Sequence, residues 1–121
     1  MKLQLAGMFR EFSGGDESAG SIADVVGALD EALVSRVVGY LEHGNLYVGT
    51  PGLSDDVLDS EHKRVASPHI MTDGVWAWRN ELPYYVRKYH VAAPTAFVEH
   101  MRANERRCPV LRRDELLQLE L

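Results

Sequence analysis

The run Thr72-Asp73-Gly74-Val75-Trp76-Ala77-Trp78 constrains the fold more than any other part of the chain. Asp-Gly is a strong hairpin signal, because tight turns between antiparallel strands need positive φ. Trp76 and Trp78 stand two apart on the strand that follows, so both indoles point to one face. Leu82, Tyr85, Val86 and Tyr89 then mark one face of a helix, and Phe97 comes with the next. Each buried Trp or Tyr removes about 150–250 Å² from water, which is several kcal/mol per ring at ~25 cal/mol/Å². These residues therefore predict a folding centre in which the tyrosine helix closes on the tryptophan face. Tyr84, and whichever indole stays outside the core, are the rings left for binding.

Periodicity places the remaining elements. Residues 2–6 alternate polar and apolar, as a short strand does. Residues 13–20 are a polar loop. Ser21 can cap a helix that carries Ile22, Val25 and Val26 and breaks near Gly27. Asp30 caps a second helix through Glu42, with Leu33, Val37 and Leu41 on one face and Gly44 as a left-handed stop. Residues 45–50 read as a strand, and Pro51-Gly52 turns the chain. Residues 53–62 read as an acidic helical turn. Residues 64–71 and 75–78 form the two arms of the hairpin, with Pro68 holding the first to an edge or bulge. Asn80 caps a third helix with Pro83 in its first turn, residues 95–103 form a fourth, and Asp114 begins a final one. The links are short and the order is not an alternating strand–helix beat. The expected architecture is α+β: a small antiparallel sheet with a hairpin around Asp73-Gly74, packed by four or five helices. A chain of 121 residues fits one domain, residues 1–121.

Charge bears on partners. The net charge is −5, which argues against a nucleic-acid binder, since such a protein needs a basic face to displace counterions. Residues 1–61 hold 11 acids and 3 bases, and residues 62–121 hold 7 acids and 10 bases. The split gives two oppositely charged solvated surfaces, or an acidic face that docks a basic partner and speeds its association. The set Arg102, Arg106, Arg107, Arg112 and Arg113 is a weaker nucleic-acid candidate because the whole chain is acidic. Cys108 is the only cysteine, so no internal disulfide forms. Arg106 and Arg107 precede it and could favour a thiolate, but no motif supports a nucleophile there, and an inert thiol is the simpler reading. No stretch resembles a secretion signal or approaches the ~18 apolar residues of a membrane span. A cytoplasmic location is the expectation.

No pattern of catalytic chemistry stands out. Gly15 and Gly20 have the spacing of a phosphate loop, but Ser21 stands where Lys is required, and Asp16 and Glu17 would repel phosphate. Of the histidines, His43, His62, His69, His90 and His100, no two are four apart on a helix. The acids at 55, 56, 59 and 61 lack the central Gly of a calcium loop. No G-x-S-x-G surrounds Ser54, Ser60 or Ser67. His62, Lys63 and His69 offer the residue types of a ribonuclease-like set, but nothing more specific. No metal and no cofactor is expected.

The segment 72–78, with Leu82-Pro83-Tyr84-Tyr85-Val86, Tyr89, Pro94 and Phe97, resembles small bacterial cytosolic proteins, some of which are similar to immunity- or antitoxin-type inhibitors. The resemblance also takes in Ser21-Ile22 and Tyr40-Leu41-Glu42 and spans roughly residues 9–101. It implies a cytosolic α+β protein without a cofactor and transfers no catalytic residue. Two functions follow as expectations. The first is a non-enzymatic protein-binding protein, in the manner of an immunity-type inhibitor, that meets a basic protein partner through Glu42, Asp55, Asp56, Asp59 and Glu61. The alternative is a small enzyme or ligand-binding protein with a cleft near Trp76, Trp78 and Tyr84, where His69 or Asp73 supplies polar chemistry.

Overall fold

The computed structural model describes residues 2–12 and 20–121; the polar loop and the phosphate-loop spacing expected around Gly15 lie largely outside them. The chain is mixed α+β, with a four-stranded sheet and four α-helices among the described residues. The strands are β1 (Gln4–Ala6), β2 (Asn45–Val48), β3 (Ile70–Thr72) and β4 (Trp76–Arg79), and the helices are α1 (Glu31–Glu42), α2 (Leu82–Tyr89), α3 (Thr95–Ala103) and α4 (Arg113–Leu117). The sheet order is β1-β4-β3-β2. β2, β3 and β4 form an antiparallel meander, but β1 runs parallel to β4, in the register Gln4–Trp76, Leu5–Ala77 and Ala6–Trp78. The sheet is therefore mixed, not antiparallel. A parallel neighbour needs a long crossover, and the segment carrying α1 supplies one.

The hairpin is present with a different closure. Asp73, Gly74 and Val75 join β3 to β4, so three residues turn the chain rather than two, and Asp73 N–H donates to Trp76 O at 3.2 Å. Gly74 takes φ +99° as expected of the glycine. The Asp73 carboxylate closes the loop, accepting from Val75 N–H at 2.9 Å and Trp76 N–H at 2.7 Å. The first arm is shorter than its β-propensity predicts. Arg64 is left-handed (φ 53°), and between Arg64 and His69 the β pairing is an isolated Ser54–Ala66 bridge.

α1 begins at Asp30, whose side chain accepts from Ala32 N–H at 3.0 Å, as expected. Gly44 is needed for a different reason from the one its position suggests. His43 forms the cap, and a Cβ at Gly44 would lie 2.6 Å from Trp78 Cζ2 and 3.0 Å from Met71 Cβ. The residue lets the chain pass against an indole, and no left-handed turn is required. The helix expected from Ser21 is only a 3-10 turn, Ile22–Val25, capped by Ser21 and ended at Gly27 (φ 71°). Of the four or five helices expected, four are α-helices among the described residues. Residues 53–62 hold no helix, and Asn80 does not cap α2, which starts after Glu81 without a side-chain cap.

The core lies where the aromatics predict. Trp78 is fully buried and Trp76 is 6% exposed. Phe97 meets both indoles edge-on, at 5.6 and 5.5 Å between centroids, and meets Tyr40 at 5.7 Å. Trp78 Nε1–H donates to Leu41 O at 3.2 Å, so the buried indole is satisfied. Leu82, Tyr85, Val86, Phe97 and Met101 are buried with them. On the other side of the sheet Thr72 and Ala77 are also buried. The C-terminal segment ties both sheet edges together there. Asn45 in β2 bonds Pro109 O and Leu111 N–H, Tyr47 donates to Leu119 O at 2.7 Å, and Leu3 N–H, beside β1, donates to Glu120 O at 2.6 Å.

Candidate functional site

Two buried aspartates organise the polar chemistry, and neither role is visible as a sequence motif. The first is Asp56. It sits beneath the acidic arm 53–62, only 3% exposed. Its Oδ2 accepts from Tyr84 and Tyr89 hydroxyls, each at 2.6 Å, and lies 3.6 Å from Lys88 Nζ. Its Oδ1 accepts from the N–H groups of Leu58 (2.7 Å) and Asp59 (3.1 Å). Tyr85 works beside it: its hydroxyl accepts from Val57 N–H at 2.8 Å. The tyrosine ridge of α2 thus grips the backbone of an arm that has no regular structure of its own.

The electrostatics follow from these bonds. Burial works against charge on Asp56, but the two phenols and two backbone N–H groups outweigh it and hold its carboxyl below the usual range. In return Tyr84 is pushed up to about 12, by burial first and by Asp56 second. Tyr89 is also pushed up to about 12, chiefly by donating to Asp56.

Asp56 is therefore a correction to the expected docking surface: it is interior and saturated, so it presents nothing to a partner. The other four residues are on the surface. Asp55 accepts from Arg64 N–H and lies 3.5 Å from Lys63 Nζ. Asp59 accepts from Glu61 N–H and contacts His62 Nδ1 at 2.8 Å. Their carboxyls are held below the usual range by those backbone bonds first. Glu61 is exposed. Glu42, at the end of α1, reaches Arg87 of α2 at 2.9 Å. Asp55, Asp59 and Glu61 thus lie on the arm, and Glu42 lies against Arg87 of α2.

The second aspartate is Asp73, whose Oδ1 closes the hairpin. Its Oδ2 accepts from Tyr40 OH at 2.5 Å and lies 2.9 Å from His100 Nε2. Asn104 Nδ2 donates to Tyr40 OH at 3.0 Å. This joins the hairpin, α1 and α3 in one polar knot behind the aromatic core. A Tyr–Asp–His set has the residue types of proton-transfer chemistry, but burial and the Asp73 bond push the Tyr40 hydroxyl far up, so it stays protonated. Cys108 lies near the knot. Burial, with the Asp73 charge second, pushes its thiol up to about 12. The two arginines before it do not make it a thiolate.

The cleft expected near Trp76, Trp78 and Tyr84 is filled by ring packing. Both indoles are buried, and half-exposed Tyr84 lines only a shallow depression with Glu42, Asn80, Pro83 and Arg87. His69 is structural: its Nδ1 accepts from Thr50 N–H at 2.8 Å. A buried Arg79–Glu81 pair at 2.7 Å, with Ser54 Oγ 2.6 Å from Glu81, anchors the base of the arm. Among the described residues no three His, Cys, Asp or Glu side chains are placed to hold a metal ion, and no helix is long and apolar enough to cross a membrane.

Comparison with protein-family models, curated proteins and solved structures finds no match to this chain.

Proposed function

We propose that this chain is a non-enzymatic protein-binding protein, in the manner of an immunity-type inhibitor, meeting a basic partner through Glu42, Asp55, Asp59 and Glu61. The observation that carries the reading is the pinning of the acidic arm from below. Four hydrogen bonds to Asp56 hold a segment that lacks helix or strand, so its outer carboxylates are held in place before any partner arrives. Preorganisation lowers the ordering cost of association. The cations beside these acids are exposed ones, and such surface pairs contribute only about 0–1 kcal/mol each. A partner's Arg or Lys can displace them at little cost.

The test is kinetic. The wild-type protein and a Glu42→Lys, Asp55→Lys, Asp59→Lys, Glu61→Lys variant are immobilised and exposed to cytosolic extract at low and high salt. A basic protein captured by the wild type should associate several-fold more slowly with the variant, and its association with the wild type should slow as salt rises. Equal association rates and equal salt dependence for the two proteins would defeat the reading.

A further inference from the structure

A hollow of about 380 Å³ lies between α1 and the chain that follows α3. Ser35, Arg36, Gly39, Tyr40 and His43 line it from α1, and Arg106, Arg107 and Cys108 line it from the other side. We infer that this hollow binds a small phosphomonoester, with Arg36, Arg106 and Arg107 on the phosphate and the organic body against Gly39, Tyr40 and Cys108.

Three observations carry the inference independently of the acidic arm. The first is charge. Three arginines and no acidic residue line the hollow. Most other cations of the molecule are engaged: Arg10, Lys63, Arg79, Arg87, Lys88 and Arg112 all make ion pairs. Among the described residues the guanidiniums of Arg36, Arg106 and Arg107 make none, nor any hydrogen bond. Holding three like charges at one mouth is unfavourable until an anion arrives. A phosphomonoester carries close to two negative charges at neutral pH, and its oxygens match the planar guanidinium fork.

The second observation is the backbone that presents them. Glu105 and Arg106 are consecutive non-glycine residues at φ 54° and 61°. That conformation is disfavoured for L-residues. Here it ends α3, with Arg106 N–H donating to Met101 O at 2.9 Å, and brings Arg106 and Arg107 to the α1 side.

The third is room. Gly39 stands in the interior of α1, where glycine is less stable than alanine. A Cβ there would meet nothing within 4 Å, so no packing reason demands the glycine. Its absence of side chain leaves the hollow open beside Tyr40. The volume exceeds what a phosphate alone would fill and falls in the range of small-ligand sites. His43 Nδ1–H donates to Gly39 O at 2.7 Å, which fixes that ring at the rim.

Phenyl phosphate is the probe, titrated calorimetrically into the full chain at low ionic strength, with inorganic phosphate and phenylacetate as comparators. The inference expects saturable binding with Kd below about 1 mM, weaker binding of inorganic phosphate, and weaker binding still of phenylacetate. Arg36→Gln and Arg106→Gln should each weaken it by about tenfold, as loss of one charge-assisted contact does. Arg87→Gln removes the same charge outside the hollow and should leave it unchanged. Gly39→Leu should abolish binding while the circular dichroism spectrum stays that of the wild type. No saturable binding would overturn the proposal, as would equal weakening by Arg87→Gln and Arg106→Gln, or phenylacetate binding as tightly as phenyl phosphate. Because no acidic residue of the arm takes part, this outcome is independent of the partner-capture result.

Discussion

Asp56→Ala isolates the energetic claim on which the acidic arm depends. The change removes a buried carboxylate that accepts four hydrogen bonds, two from phenols and two from backbone N–H groups. A hydrogen bond to a charged acceptor contributes about 1.5–3 kcal/mol, but such terms do not add within one network. Lys88, left without its partner, is partly exposed and recovers water. The phenols and backbone N–H groups left unpaired set the scale, at about 1–3 kcal/mol each and less than additive, for a loss of about 3–5 kcal/mol. Against a typical total of about 5–15 kcal/mol that is a large fraction. Urea unfolding followed by circular dichroism measures it directly, and Tm should fall by about 10–20 °C. Asp55→Ala, one residue away on the surface, should leave the midpoint unchanged.

The same carboxylate makes a pH prediction with a definite sign. Its folded value lies below the unfolded 3.8, so its contribution is present above that pH and is withdrawn as pH falls through the lower folded value. The wild type should therefore lose stability below about pH 4 more steeply than Asp56→Asn does. An Asp56→Ala loss under about 1 kcal/mol, the scale of an ordinary substitution, would refute the view that this residue holds the arm.

Two further predictions concern the interior. Gly44→Ala places a methyl group against the Trp78 ring and Met71, so it should destabilise by about 1–3 kcal/mol through overpacking; a midpoint within error of the wild type would show that the indole yields freely. Cys108, with its thiol pushed up to about 12, should be alkylated by iodoacetamide at pH 8 about a hundredfold more slowly in the folded protein than in urea, and comparable rates would mean that the thiol is not held as the structure indicates.

Local patterns reached the elements whose signals are short-range. Asp30 as the cap of α1, the Asp73-Gly74 turn, the bounds of α3 at 95–103 and the paired indoles all follow from residue type and spacing, because caps, turns and helical period are decided within a few residues. The apolar spacing of residues 53–62 imitates a helical turn, which the Asp56 bonds override. Gly44 resembled a helix stop, but its reason lies in Trp78, thirty-four positions on. The parallel direction of β1 depends on the path the chain takes between β1 and the rest of the sheet. Both aspartate clusters share this character. Asp56 with Tyr84 and Tyr89, and Asp73 with Tyr40 and His100, are joined across 27 to 33 residues. No periodicity spans such separations. Acidity marks Asp56 as surface, as it does for most carboxylates; two tyrosines of α2, Tyr84 and Tyr89, hold it inside. The charge imbalance between the two halves was plain from composition. Which cations would find partners, and which three would be left facing one hollow, was settled only when α1 met the end of α3.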